Sequence, residues 1–68
     1  MVNAILFKQK LIEKGLTQAK LAELAGVSLS SISYMLNYGS SPTADTIVKL
    51  CRAMGIEDDA EKAQIFLN

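Results

Sequence analysis

The sequence predicts an all-α protein of five short helices. No stretch alternates apolar and polar side chains between turn residues, so strand signals are missing. Helix-capping residues recur along the chain, and each of its four glycines falls at or just past the end of a predicted helix. Half of the 68 residues are apolar, which is enough for one small core. We therefore expect residues 1–68 to form a single domain.

The first predicted helix is defined at both ends. Asn3 is a suitable N-cap, and the helix runs to about Lys14 before Gly15 ends it. Phe7 and Leu11 lie one helical turn apart, so they share a face that can point into the core.

The next two helices are separated by a short turn. Thr17 caps the second helix and Gly26 ends it, while Ser28 caps the third helix, in which Ile32 and Met35 share one face. Four residues of the second helix are expected to face inward: Leu21, Ala22, Leu24 and Ala25.

The remaining chain predicts a loop and two further helices. Residues 37–42, NYGSSP, read as the loop, and Thr43 opens a fourth helix that Gly55 closes. Asp58 and Glu61 have the spacing of a capping box at the start of a fifth helix. The apolar residues of the fourth helix are Ile47, Leu50, Cys51 and Met54, and the fifth ends in Ile65, Phe66 and Leu67.

Composition argues against several classes of function. The chain has no histidine and one cysteine, Cys51, so we expect no catalytic Ser/His or Cys/His pair, no internal disulfide and no metal site. We expect neither enzymatic activity nor a cofactor. No apolar run is long enough to cross a bilayer, and "AILF" is too short for a signal peptide, so we expect a cytoplasmic protein with no membrane partner.

The charge is unevenly distributed although the net charge is zero. Residues 1–56 contain six Lys or Arg and three acidic residues, a net charge of +3, and residues 57–68 contain one Lys and four acidic residues, a net charge of −3. The body is therefore basic and the tail acidic.

Residues 17–36 have the construction of a helix-turn-helix. Two short helices flank a three-residue turn, and Ala22 is small enough to let their axes approach each other. Leu21, Val27 and Ile32 can close a common core beneath them. The second helix of such a unit can enter a DNA major groove.

The stretch "KGLTQAKLAELAGVSLSSIS" resembles the lambda-repressor/Cro-type helix-turn-helix family, also called the XRE family. "SPTADTIVKLCRAMGI" resembles the segment that follows in that family, in which a proline precedes a capped fourth helix. "IEDDAEKAQIFLN" resembles the end of its small phage-borne and mobile-element-borne members. The resemblance covers about residues 5–67 and implies a compact five-helix, lambda-repressor-like domain.

The resemblance also implies sequence-specific binding to double-stranded DNA and, usually, transcriptional repression. By position, Gln18 would touch a phosphate, and Asn37 would touch the backbone again at the end of the recognition helix, about residues 28–37. Family members often carry an acidic residue at the position of Leu36 and a glycine at that of Tyr38, whereas here the glycine is Gly39. The residues that would face the groove are Ser28, Leu29, Ser30, Ser33 and Tyr34.

The predicted recognition helix has an unusual chemistry. It has no Arg or Gln, so it cannot make the bidentate contacts that identify guanine or adenine. Ser30 and Ser33 can donate or accept a hydrogen bond, Leu29 can pack on a thymine methyl, and Tyr34 offers a ring and a hydroxyl. We therefore expect modest affinity and a site that is read partly through DNA shape. The alternative is a helix-turn-helix protein-interaction module, such as an antitoxin.

A homodimer on DNA is also expected. One module of this size covers only a half-site. Ile65, Phe66 and Leu67 are consecutive and spread over roughly 200° of a helix, so they cannot all face one small core. These three residues either form the dimer surface or complete the core of the monomer. No small-molecule ligand is expected.

Overall fold

The computed structural model describes residues 1–67, and this range contains five α-helices and no strand. The all-α prediction is confirmed. The longest of these helices has 11 residues, and none in this range is long and apolar enough to cross a membrane. The helices are α1 (Ala4–Glu13), α2 (Gln18–Ala25), α3 (Leu29–Tyr38), α4 (Ala44–Met54) and α5 (Asp59–Phe66).

All five predicted N-caps are confirmed. In each case a side-chain oxygen accepts a hydrogen bond from a backbone N–H of the first turn, at 3.0–3.3 Å. This bond satisfies one of the amides that a helix start leaves without a partner. The caps are Asn3, Thr17, Ser28, Thr43 and Asp58.

The capping box predicted for α5 is wrong. Asp58 accepts its hydrogen bond from Ala60 rather than from Glu61. The Glu61 carboxylate instead lies 3.0 Å from the Lys10 ammonium of α1, which also lies 3.3 Å from Glu13. The hydrogen bond to Glu61 raises the pKa of Lys10, and the same ion pair draws α5 against α1.

The end of α3 also differs from the prediction. Asn37 was expected at the boundary between the recognition helix and the loop, and Tyr38 in the loop. Instead α3 continues through both, and Gly39, which has a φ of 65°, is its C-cap. A left-handed conformation costs glycine little, so the chain leaves the helix there rather than two residues earlier. Met1 lies against this turn, because a Cβ at Gly39 would be 3.3 Å from the Met1 Cγ.

The core joins side chains from all five helices. The rings of Phe7 and Phe66 meet edge to face, with centroids 5.9 Å apart. The backbone N–H of Asn3 donates a hydrogen bond to the backbone carbonyl of Ile65 at 2.7 Å, which fixes the chain start beside the end of α5. The largest fully buried side chains are Phe7, Leu21, Ile32, Leu50, Met54 and Phe66.

Two expectations about apolar residues need correction. Ile65 and Phe66 are buried in the core of the single chain because α5 packs back onto α1, so they offer no surface to a partner, whereas Leu67 is exposed. Leu24 was expected to face inward but is also exposed. It lies with Lys49 and Arg52 along a shallow groove at the edge where α2 meets α4.

Candidate nucleic-acid interface

The turn between α2 and α3 is closed by backbone hydrogen bonds. Gly26 has a φ of 72°, and its N–H and that of Val27 both donate to the Ala22 carbonyl, at 3.0 and 3.1 Å. Leu21 and Ile32 are fully buried, one from each helix. These contacts fix where α3 begins and which of its faces remains outside.

α3 divides into two faces. Its inner face consists of Ile32, Met35 and Leu36, all buried. The outer face carries four of the residues predicted for the DNA groove and one predicted for the DNA backbone. Of these, Ser33 is half-buried and the others are exposed. The groove residues are Leu29, Ser30, Ser33 and Tyr34, and the backbone residue is Asn37.

Two other predicted residues lie at helix starts. The Ser28 hydroxyl accepts from the Ser31 amide at 3.1 Å and lies 2.7 Å from the Ser31 hydroxyl, so it serves the structure of α3 itself. Gln18 is the first residue of α2 and is half-buried. It therefore stands on a different helix from the other predicted residues.

The structure adds Tyr38 to the exposed surface of α3. Its ring centroid lies 4.7 Å from that of Tyr34, with 40° between the ring planes. Sequence reasoning missed this pair because it placed Tyr38 in a loop. Two tyrosines four residues apart, followed by a glycine, would have predicted the pair had the helix been continued to Gly39.

A groove runs beside α3, between it and the start of α4. It encloses about 440 Å³ above an apolar floor that includes Met35 and Leu50. Its walls carry hydroxyl groups. Two of them, those of Ser40 and Ser41, come from the loop that follows α3, for which the sequence predicted no functional residue. The hydroxyl residues along this groove are Ser30, Ser31, Tyr34, Ser40, Ser41, Thr43 and Thr46.

The side chains of α3 and of the loops on either side of it carry no formal charge. No Asp, Glu, Lys or Arg occurs from Leu24 to Ala44. The charged residues that flank this stretch in the sequence belong to ion pairs, Lys20 with Glu23 at 3.6 Å and Lys49 with Asp45 at 3.1 Å. The groups that this surface presents to a partner are therefore hydroxyls, an amide, aromatic rings and apolar side chains.

The sequence matches the family described as helix-turn-helix over residues 7–60. No curated protein and no solved structure matches the chain. The matched range contains α2, the turn, α3 and α4, and it therefore includes every residue predicted to touch DNA. Residues 65–67 lie outside it.

Proposed function

Because the chain belongs to the Cro/C1-type helix-turn-helix family of DNA-binding proteins, we propose that it is a sequence-specific transcriptional repressor whose α3 enters the major groove. The observation that carries this proposal is the outer face of α3. Its side chains, apart from the half-buried Ser33, are exposed on the second helix of a helix-turn-helix, whereas the inner face is buried in the core.

Within the groove, the proposed roles follow from the chemistry of each side chain. Ser30 and Ser33 hydrogen-bond to base edges, and Leu29 packs on a thymine methyl. Tyr34 contacts the next bases along the groove with its ring or its hydroxyl. Ser28 mainly orients α3, because its hydroxyl is engaged in the helix cap.

Contacts to the sugar-phosphate backbone would set the register on the duplex. Gln18 at the start of α2 and Asn37 in the last turn of α3 are the proposed backbone contacts. The repressor would act by occupying its operator, so that transcription cannot start from an overlapping promoter.

We further propose that two copies bind one operator. A single recognition helix without bidentate side chains offers little discrimination, and a second half-site would roughly double the contact energy. The proposed surface is the exposed Leu67 with the exposed Met1 and Ile5, because the Asn3–Ile65 hydrogen bond brings the chain start beside the end of α5. This patch is small, so the dimer would form on DNA rather than free in solution.

The first experiment selects bound duplexes from random DNA and measures binding of Tyr34→Ala to the selected site. We expect Tyr34→Ala to weaken binding by about 1–3 kcal/mol, the value of a good base contact. Its thermal midpoint should be nearly unchanged, because Tyr34 is 59% exposed. Ile12→Ala is the matched control, since Ile12 is 79% exposed on α1. Equal affinity of Tyr34→Ala and the wild type would contradict the assignment of α3.

The stoichiometry on the selected operator tests the dimer. Native mass spectrometry should find two chains per operator for the wild type and one for Leu67→Lys, because a charge in the patch would have to be desolvated. One wild-type chain per operator would refute the dimer. Phe66→Ala is unsuitable, because Phe66 is in the core and the truncation would cost about 3–5 kcal/mol of stability.

A second candidate function is a protein-interaction module, such as an antitoxin. The uncharged stretch from Leu24 to Ala44 favours it, because surfaces rich in Ser, Tyr, Asn and Gly also suit protein recognition. The same selection separates the two candidates. A repressor enriches one sequence, whereas a pure interaction module enriches none.

A further inference from the structure

Tyr38 is a large exposed side chain that the readout proposed above does not use. It is 71% exposed, and it lies one helical turn beyond Tyr34, with the two rings in contact. Each ring restricts the rotation of the other, so less side-chain entropy is lost when a ligand orders them. The pair is therefore a partly ordered aromatic surface over the second half of α3.

The position of Tyr38 along α3 indicates which part of DNA it meets. Ser30 and Tyr38 are eight residues apart, which is about 12 Å along a helix axis. The major groove is about 12 Å wide. With Ser30 at the base edges, Tyr38 would lie at the rim of the groove, beside the sugar-phosphate backbone. Its direction differs from that of Ser30 by about 80°, so both remain on the outer side of α3.

The charge distribution points to the same target. The usual anchors for phosphate, Lys and Arg, are absent from Leu24 to Ala44. Lys20 and Lys49, which flank this stretch, are each paired with a carboxylate. A backbone contact made by a side chain of this stretch must therefore come from a neutral donor. A phenol hydroxyl can donate to a phosphate oxygen, and its ring can cover the adjoining deoxyribose.

We infer that Tyr38 contacts the DNA backbone, holding the end of α3 at the rim of the groove through an uncharged hydrogen bond. The inference rests on the DNA-binding function proposed above. It explains how a recognition helix without any charged side chain is anchored. The contact does not neutralise the phosphate, so it adds affinity without releasing a counterion.

The first test compares Tyr38→Ala with the wild type on the selected site and on a scrambled duplex. We expect Tyr38→Ala to lose about 10-fold in affinity on both duplexes, since a backbone contact is independent of sequence. The slope of log K against log salt should stay the same. The thermal midpoint confirms that Tyr38→Ala folds, and Ile12→Ala should bind like the wild type.

The second test replaces single phosphates of the selected site with neutral methylphosphonates. At the contacted phosphate, the wild type should lose affinity, and Tyr38→Phe, which keeps the ring but lacks the hydroxyl, should lose none. Equal losses for both proteins at every position would overturn the inference, as would wild-type affinity of Tyr38→Ala.

These outcomes separate the inference from the proposed function. If Tyr34→Ala loses specific binding and Tyr38→Ala does not, the inference is wrong and the function stands. If the wild type enriches no sequence and binds no duplex, both are wrong.

Discussion

At the scale of single residues, Gly26 is where the helix-turn-helix depends on one residue type. Its φ of 72° is unfavourable for a side chain, although a Cβ there would meet no atom within 4 Å. We therefore expect Gly26→Ala to lower the free energy of unfolding by about 1–2 kcal/mol, purely through the backbone. Chemical denaturation measures the change. Gly26→Asn should lose less, because Asn tolerates this conformation better. Equal losses of stability in Gly26→Ala and Gly26→Asn would mean that contacts of the new side chain, not the φ angle, determine the loss.

Leu29 allows a test of base readout at a single methyl group. Its side chain is 46% exposed at the start of α3. Replacing a contacted thymine with uracil removes one methyl, and the lost burial should weaken wild-type binding by about 0.8 kcal/mol, roughly 4-fold.

Leu29→Ala serves as the comparison in this experiment. It should bind the thymine and uracil duplexes equally, because it no longer reaches the methyl. If no thymine in the selected site shows this difference, Leu29 does not read thymine.

At the scale of elements, Lys10 links α1 to α5. Its side chain is 12% exposed and lies between Glu61 and Glu13. The pKa of Lys10 is raised, mainly by its hydrogen bond to Glu61. The folded state therefore holds this proton more tightly than the unfolded state. The resulting stabilisation is complete below the ordinary pKa of 10.5 and is lost as pH rises through the raised value.

The prediction is that wild type and Lys10→Met differ in stability at neutral pH and converge as the pH rises above 10.5 and through the raised pKa of Lys10. Thermal midpoints between pH 7 and pH 11.5 would show this. Lys20→Met is the matched control, since the Lys20–Glu23 pair is within one helix and well exposed. Its effect should be smaller at every pH. A constant difference between wild type and Lys10→Met across the whole range would mean that packing, not charge, explains the effect of Lys10.

The boundaries of these elements could be predicted from sequence because they depend on local chemistry. A capping side chain bonds to an amide only two or three residues away, so the five caps could be read without knowing the fold. The end of α3 was misjudged because the run NYGSSP is typical of a loop from its first residue, whereas its third residue, Gly39, is the one that stops the helix.

The faces of the elements were harder to predict than their ends. Leu24 and Leu21 belong to the same helix, but only the packing of α2 against α3 and α4 decides that Leu21 is covered and Leu24 is not. Ile65 and Phe66 are buried because α1 and the residue before it lie beside them, and these contacts join residues about sixty positions apart. The outer face of α3 was easier to predict, because the spacing of Ile32 and Met35 already indicated which face of this helix points inward.

At the scale of the whole molecule, the lack of charged side chains on the proposed DNA-binding surface predicts that binding depends weakly on salt. Each phosphate that a protein neutralises contributes roughly −0.9 to the slope of log K against log salt. With few cations near the proposed footprint, we expect a slope on the order of −3 to −6 for a dimer. Titrations between 50 and 300 mM salt measure it. A slope near −10 would show that lysines elsewhere on the body reach the DNA.

The separation of the two faces of α3 has a consequence for how this protein could change its target. Stability depends on the inner face and on the Ser28 cap, whereas Ser30 and Tyr34 belong to neither. On the proposed readout, substitutions at those two positions would alter the preferred operator with little loss of folding. A Ser30→Arg change would add the guanine-reading group that α3 lacks. A repressor of this kind would acquire new operators by single mutations, without first gaining stability to tolerate them.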